Sequence, residues 1–481
     1  MESGNKKLAV NAALNTAKTV LGLLFPLITY PYVSRVLGVD NLGIYTFSVS
    51  IVSYFQLLAA LGVTPYGIRE GTQYRNDKEK IEEFVSEVFS INLISTAFSY
   101  LVLGLCLAVV PKLADYRTAI LILSIEIIVT TAGVAWVCNI YEDFLFITVR
   151  TLAIQVVSLL FTFLFIRSEG DVLKYCAIMV LASSGANLLN FYYIRKKYCR
   201  FRFTLHIDWK RHLRPILVIF STSVAITIYV SSDSTMLGFM TSDHEVGLYG
   251  TAVKIYTILK NLLAALLIVL IPRFSYMFSK GEEEESRKLF SKVFSILSIL
   301  MLPMIVGLFM LSEDVILLIS GEAYLGGAPA LRILSLAVLF SLYAYLYTQC
   351  ILIPVKREDV VFKATLLGAV SNVALNLVLI PVWGINAAAF TTIVAEAITF
   401  SFAYYQGRRF VRLENILGSL AASAAGCIGV VAVCLLAQRI DHLFLRLGTA
   451  VLGSAVLYFV ILIALRNREA IDLIHLVLKK R

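Results

Sequence analysis

Seven ionisable side chains fall inside long apolar stretches of this 481-residue chain: Lys18, Glu126, Arg150, Asp233, Lys254, Lys260 and Glu396, with Glu87 nearer the end of one. A charge at the centre of a membrane helix costs roughly 2.5–3.5 kcal/mol on insertion scales, so such groups face a bundle interior or a wet cavity. Two of the lysines sit in polar stripes of helical spacing: Asn11, Asn15, Lys18 and Gly22 in one segment, and Gly250, Lys254, Thr257 and Asn261 in another. Ammonium groups so placed can neutralise an anionic ligand, with Asn15 and Asn261 beside them as hydrogen-bonding partners. Lys260, on a neighbouring face, and Arg150 are further candidates for that task. The alternative is that Lys18 and Lys254 pair with carboxylates such as Glu126 or Asp233, or snorkel to the nearer interface. Glu126, Asp233 and Glu396 in turn either carry a proton or sodium ion or only neutralise the lysines.

Other chemistries lack their residues. There is no GxxxxGK phosphate loop and no nucleophile elbow, so nucleotide hydrolysis and acyl transfer have no support. The seven cysteines are scattered without a CxxC pair, and none of the five histidines is spaced as a helical ligand pair, so neither a disulfide framework, a metal nor a cofactor is expected.

The elements that hold these groups are membrane helices. With 59% hydrophobic and 15% charged residues and a mean hydropathy of +0.82, the chain has too few charges to clothe a soluble fold of this size. Apolar runs of about 20 residues, the length that crosses hydrocarbon, recur throughout. They predict an all-α polytopic protein of about fourteen spans: 8–33, 43–66, 84–110, 117–138, 144–166, 172–194, 215–240, 246–272, 292–312, 329–353, 360–381, 385–405, 416–438 and 447–465. The first is too long for a signal-peptide core and reads as a retained span. The connection near residues 138–146 is the least defined, with a bent hairpin as the alternative.

The spans are organised by a repeat. Val33 to Tyr45 reads VSRVLGVDNLGIY; Leu237-Gly238 opens a second copy that Gly247-Leu248-Tyr249 closes. Each copy predicts a helix, a short glycine-bounded turn and a returning helix. Similarly, Glu142-Asp143 opens a pair of spans ending at Arg195-Lys196-Lys197, and Glu358-Asp359 opens one ending at Gly407-Arg408-Arg409. Spans one to six therefore correspond to spans seven to twelve. An even number of spans per copy relates the copies by a pseudo-two-fold along the membrane normal. The expected division is a lobe at 1–197, a cytoplasmic linker at 198–214, a second lobe at 215–412, and two extra helices with a basic tail at 413–481. Lys and Arg cluster in alternate loops, which places both termini in the cytoplasm and accounts for the net charge of +10 without nucleic-acid binding. The linker interleaves Tyr198, Phe201, Phe203 and Trp209 with cations, either to lie on anionic lipid headgroups or simply to fix orientation.

The segments FPLITYPYVSRVLGVDNLGIY, LGFMTSDHEVGLY and IPVWGINAAAFTTIVAE, in that order and spacing, resemble the polysaccharide-transport branch of the multidrug/oligosaccharidyl-lipid/polysaccharide exporter superfamily, which includes Wzx-type O-antigen and capsule-repeat flippases. The resemblance covers essentially the whole chain. It implies a fourteen-helix exporter in the bacterial cytoplasmic membrane that moves an undecaprenyl-diphosphate-linked oligosaccharide to the outer leaflet by alternating access. Its partners would be that lipid-linked glycan, membrane lipids, a coupling proton or sodium ion, and glycan polymerase and chain-length machinery. On this reading the stripes of Lys18 and Lys254 face each other across the lobes to hold the diphosphate. Arg35, at the outer end of the first helix, either grips a phosphate on release or caps helix carbonyls. Asn187, Asn190, Asn372, Asn376, Gln349 and Tyr345 either bind sugar hydroxyls or tie helices together. An ion-coupled multidrug antiporter of the same superfamily is the main rival, ahead of a membrane glycan polymerase or ligase and of a scaffold.

Overall fold

A computed structural model describes residues 2–414 and 416–478, with side chains described for Gly22 and from residue 25 to 473 apart from 415, and for His475. The chain forms two compact units, Met1–Gly247 and Leu248–Arg481. Among the described residues every regular element is helical. Twelve helical stretches among the described residues are long and apolar enough to cross a membrane. The difference from fourteen has two sources. The first two predicted spans lie on one helical stretch, α1 (Glu2–Ala60), and the fourth is the 17-residue α4 (Arg117–Gly133).

The apolar stretch Phe25–Gly71 contains 47 residues, roughly 70 Å at 1.5 Å per residue, more than twice the ~30 Å hydrocarbon core. It breaks at Gly38, where φ is 76° and ψ is 172°. A side chain is strained at that φ whatever space surrounds it, and the Glu169 carboxylate lies at ordinary contact distance, 3.6 Å from the Cβ position. This is the turn that the first repeat copy predicts. The second copy turns at Thr241–Ser242, between α9 (Trp209–Met240) and α10 (Asp243–Ile268).

Within the first unit the two turns are seated on each other. A Cβ on Gly43 would overlap the carbonyl oxygen of Asp243, and one on Gly247 would overlap the carbonyl oxygen of Val39. The two contacts are one contact seen twice, because 39 + 204 is 243 and 43 + 204 is 247. Asp40 and His244, also 204 apart, meet each other, Nδ1 to Oδ1, at 2.9 Å. Reciprocal contacts with self-paired equivalents are the mark of a local two-fold axis. Below the turns α9 packs on the second half of α1 through a hydroxyl seam: Ser53 donates to Ser231 at 2.9 Å and Thr235 to Ser50 at 2.9 Å.

The rest of the first unit is α2 (Val63–Gly71), α3 (Lys78–Val109), α4, the short α5 (Trp136–Ile140), α6 (Phe144–Phe165), α7 (Val172–Ser184) and α8 (Ala186–Lys197). The ill-defined connection at 138–146 is a tight turn. Tyr193, Tyr198 and Lys197 all donate to the Asp143 carboxylate, at 2.6, 2.5 and 2.9 Å. Partial burial would raise its pKa, but these three donors hold it down at about 2. The clamp is at full strength above the ordinary carboxyl value of 3.8 and is lost only as pH falls through about 2.

Residues after α8 run extended along α3. Arg200, Arg202 and Thr204 donate alternate backbone N–H groups to Glu82, Ser86 and Ser90 at 2.9, 3.3 and 2.9 Å. Two extended residues advance about 6.6 Å and four helical ones about 6.0 Å, so the two periods match. The strap ends at Glu87, which accepts from the Asp208 N–H and meets His212 Nε2 at 2.7 Å; Tyr66 holds His212 Nδ1 at 2.6 Å. Phe84, Trp136 and Phe201 pack around this network.

The second unit contains α10 from Leu248 onward, α11 (Ile271–Lys280), α12 (Glu283–Met310), α13 (Ser312–Ile319), α14 (Ala328–Tyr347), α15 (Glu358–Trp383), α16 (Ile385–Gly407), α17 (Ile416–Ala437), α18 (Leu443–Ala464) and α19 (Arg468–Leu478). It has its own, shorter strap: after α16, Glu414 donates its N–H to Ser291 on α12 at 3.1 Å and pairs with Arg287 at 3.1 Å. The extra helices α17 and α18 pack on α12, where Tyr458 donates to the Ile299 carbonyl at 2.8 Å.

The seated turns make a direct prediction. Gly43→Val and Gly247→Val each push side-chain atoms into backbone, which cannot rotate away, and overpacking of this kind costs about 1–3 kcal/mol. Both variants are expected to show lower membrane levels and lower melting temperatures in detergent. Gly104→Ala, on α3 with nothing within 4 Å of its Cβ position, serves as the neutral control. Wild-type melting of both valine variants would show that the contact does not bear load.

Candidate functional site

In the second unit α10 carries two lysines with opposite fates. Lys260 Nζ donates to Glu396 Oε1 on α16 at 3.1 Å, and the Tyr256 hydroxyl donates to the same oxygen at 3.3 Å. Glu396 is 4% exposed. This pair neutralises itself, because Coulomb attraction in a low-dielectric interior holds a matched ammonium and carboxylate together. Lys254, two turns earlier, is half-buried and has no ion-pair or hydrogen-bond partner among the described residues. Its ammonium is therefore available to an anion. Asn261 is exposed on the same helix.

Beside Lys254 lies an apolar groove of about 460 Å³ between α10, α12, α13, α17 and α18. Ile255, Ile258 and Leu262 form one wall; Pro303, Val430 and Val451 contribute the others. Lys254 and Ile258 are one helical turn apart, so they share a face. The helix that presents the free cation also walls the groove. In the sequence α17 and α18 stand outside the repeat. Their role as walls was signalled only by small residues, Ser419, Ala422, Ser423, Gly426 and Gly429, which let Tyr458 and Leu457 of α18 close in.

The first unit holds the remaining candidates. Glu126 on α4 is half-buried, accepts from Gln56 Nε2 at 3.5 Å and has no ion pair among the described residues. Asp233 is buried on α9. Arg150 on α6 is 7% exposed and donates to the Ala186 carbonyl at 2.8 Å and the Asn187 amide oxygen at 3.5 Å, with the Phe146 ring 5.4 Å from its guanidinium carbon. It ties α6 to α8. Arg35 is exposed beside the Gly38 break. The side chains of Lys18 and Asn15 lie outside those described.

The asparagines act mainly among themselves. Asn376 donates to Asn372 at 3.2 Å, and Thr391 donates to Asn376 at 2.5 Å, joining α15 to α16. Asn190 donates to Asn187 at 3.2 Å. Both sets are largely buried, as expected of groups that tie helices together. Tyr256 and Gln56, which partner the two carboxylates, were not singled out from sequence; neither lies near its carboxylate along the chain.

The sequence profile of the family described as Polysaccharide biosynthesis protein matches residues 8–278. The chain is 23% identical over 512 aligned positions to an uncharacterized membrane protein of Methanocaldococcus jannaschii, covering 96% of this chain and 99% of that protein. It is 21% identical over 263 residues to a candidate O-antigen transporter of Escherichia coli (strain K12), covering 52% of this chain. That match spans 61% of the E. coli protein, less than two thirds of its length. Among solved structures it is similar to the lipid II flippase MurJ in an inward closed conformation, with a TM-score of 0.72, 16% identity, and coverage of 95% of this chain and 99% of that one. At that identity the likeness establishes the fold.

Lys260→Gln strands the Glu396 carboxylate, a loss of about 3–5 kcal/mol for a buried pair. The variant is expected to fall in membrane level and melting temperature, and the double variant Lys260→Gln/Glu396→Gln to recover both. A stable single variant would mean that Lys260 is held less firmly than the geometry indicates.

Proposed function

The chain belongs to the polysaccharide biosynthesis protein family, and we propose that it is a flippase for an undecaprenyl-diphosphate-linked oligosaccharide, working in the bacterial cytoplasmic membrane during surface-polysaccharide assembly. The observation that carries this reading is the ammonium of Lys254, unpaired among the described residues, on a helix that also walls an apolar groove. A lipid diphosphate has two parts to satisfy. Its dianionic head needs a counter-charge to leave water, and its isoprenoid tail needs an apolar surface. Lys254 answers the first and the groove of α10, α12, α13, α17 and α18 answers the second. Lys18 and Asn15 are candidates of the first unit on their sequence stripe alone, and Asn261, Arg35 and Arg150 are secondary candidates.

Transport proceeds by alternating access between the two repeat copies, with bending of α1 at Gly22 and Pro26 as its hinge. The chain has no nucleotide-binding motif, so an ion gradient or the membrane potential supplies the drive, about 2.3 kcal/mol per charge per 100 mV. Of the three intramembrane carboxylates, Glu126 and Asp233 are the candidate ion carriers, because Glu396 is already neutralised by Lys260. Both termini lie in the cytoplasm, and the glycan is handed to polymerase and chain-length machinery. The rival, export of cationic drugs, sits poorly with a free ammonium beside the groove, which repels a cationic ligand.

Two outcomes are expected. In vesicles, Lys254→Gln abolishes flipping of a lipid-diphosphate oligosaccharide at normal protein level, while Lys254→Arg keeps part of it because charge survives and geometry does not. Normal flipping by Lys254→Gln, or transport of cationic dyes in place of the glycan, would refute the assignment. Single cysteines at positions 197 and 242 should be labelled from opposite faces, the first from the cytoplasm; labelling from one face would overturn the topology.

A further inference from the structure

The two repeat copies place different residues at one position of the returning helix, since 56 + 204 is 260: Gln56 in the first copy and Lys260 in the second. Each reaches a carboxylate. Gln56 Nε2 lies 3.5 Å from Glu126 Oε1, and Lys260 Nζ lies 3.1 Å from Glu396 Oε1. The sites are alike in form and opposite in charge balance. Glu396 is sealed, with an ammonium and a phenol on the same oxygen. Glu126 faces a neutral amide and stays half-exposed.

From this contrast we infer that Glu126 is the proton-binding carboxylate of the transporter, and that Glu396 is a fixed structural anion. The inference rests on the ion-driven reading above and selects one of its two candidate carriers. The helices packed against α4 are α1, α3, α7 and α8. Facing Glu126 are Tyr45 on α1, with Cys176 on α7 beside it, and the Ser183 hydroxyl of α7, while Tyr100 on α3 donates to the Ser124 carbonyl. Among the described residues the cations of these helices, Arg35, Lys78, Lys80, Lys174, Arg195, Lys196 and Lys197, make no ion pair with Glu126. Arg150 is engaged by the Ala186 carbonyl and the Asn187 amide. A lone carboxylate in hydrocarbon is costly as an anion and inexpensive as an acid. Partial exposure lets water reach it. The step is a simple proton exchange: the carboxylate takes a proton from hydronium on one side, leaving water, crosses as a neutral acid hydrogen-bonded by Gln56, and returns the proton to water on the other.

The test needs no glycan, so it stands or falls separately from the substrate assignment. The full-length protein in phosphatidylethanolamine/phosphatidylglycerol vesicles is studied by pH-jump infrared difference spectroscopy, which reads the protonated-carboxyl band directly. The wild type is expected to show a band that Glu126→Gln removes. Gln56→Lys should also remove it, because an ammonium at that position makes the site resemble Lys260–Glu396 and keeps the carboxylate ionised. The double variant Lys260→Gln/Glu396→Gln should retain it. Proton flux through vesicles should be lost in the first two variants and kept in the third. Persistence of the band in Glu126→Gln or in Gln56→Lys overturns the inference, as does a wild type without the band whose spectrum responds to sodium. If Glu126→Gln does not fold, Gln56→Lys carries the test alone.

Discussion

The contact on which the first unit depends is backbone against backbone. Gly43 sits on the Asp243 carbonyl and Gly247 on the Val39 carbonyl. Two helical hairpins that meet at their turns can approach this closely only where neither carries a Cβ. The approach is made once and used twice, because a two-fold contact satisfies both partners with one geometry. Phe47 then closes over Gly238, with Tyr116 and Phe239 at ring distances of 4.7 and 5.3 Å. The hydroxyl seam of Ser50, Ser53, Ser231 and Thr235 continues the fit along α1 and α9. Small residues and hydroxyls do this work because hydrocarbon provides little hydrophobic drive between helices, leaving close packing and hydrogen bonds.

A second constraint is that backbone polar groups near hydrocarbon need partners. The straps meet it without a sheet. Glu82, Ser86 and Ser90 recur every four residues on α3, and the chain after α8 presents an N–H every two. The second unit uses the same device with its charges exchanged. Glu82 accepts from a strap N–H, whereas Arg287 of α12 pairs with the strap's own Glu414. Polar residues that a hydropathy count penalises are here the rails on which a connection is laid.

Much of this was legible in the sequence. The span lengths, the repeat at Val33–Tyr45 and the helical character follow from composition and from glycines whose positions the turns dictate. The count differed only where Gly38 breaks α1 without ending it and where α4 is short. What the chain order hides is pairing at a distance. Nothing local links Lys260 to Glu396, or Glu87 to His212 and Tyr66. The intramembrane charges could be named but not sorted into paired and free. The groove was hidden because its walls belong to five helices, two of them outside the repeat.

The repeat explains where the charge went. Positions related by 204 residues include Ser50 with Lys254 and Gln56 with Lys260. In the first copy both are neutral: Ser50 is occupied by Thr235 and Gln56 by Glu126. In the second both are cations, and there the added carboxylate Glu396 compensates one of them and leaves the other uncompensated. Duplicating a helix and then charging one copy produces asymmetry without disturbing the shared packing, because the turns that seat the hairpins lie elsewhere on the sequence. A symmetric cation pair would bind an anion equally in both copies. An asymmetric one leaves, among the described residues, a single uncompensated ammonium on α10 and, on the equivalent face of α1, a neutral amide beside Glu126.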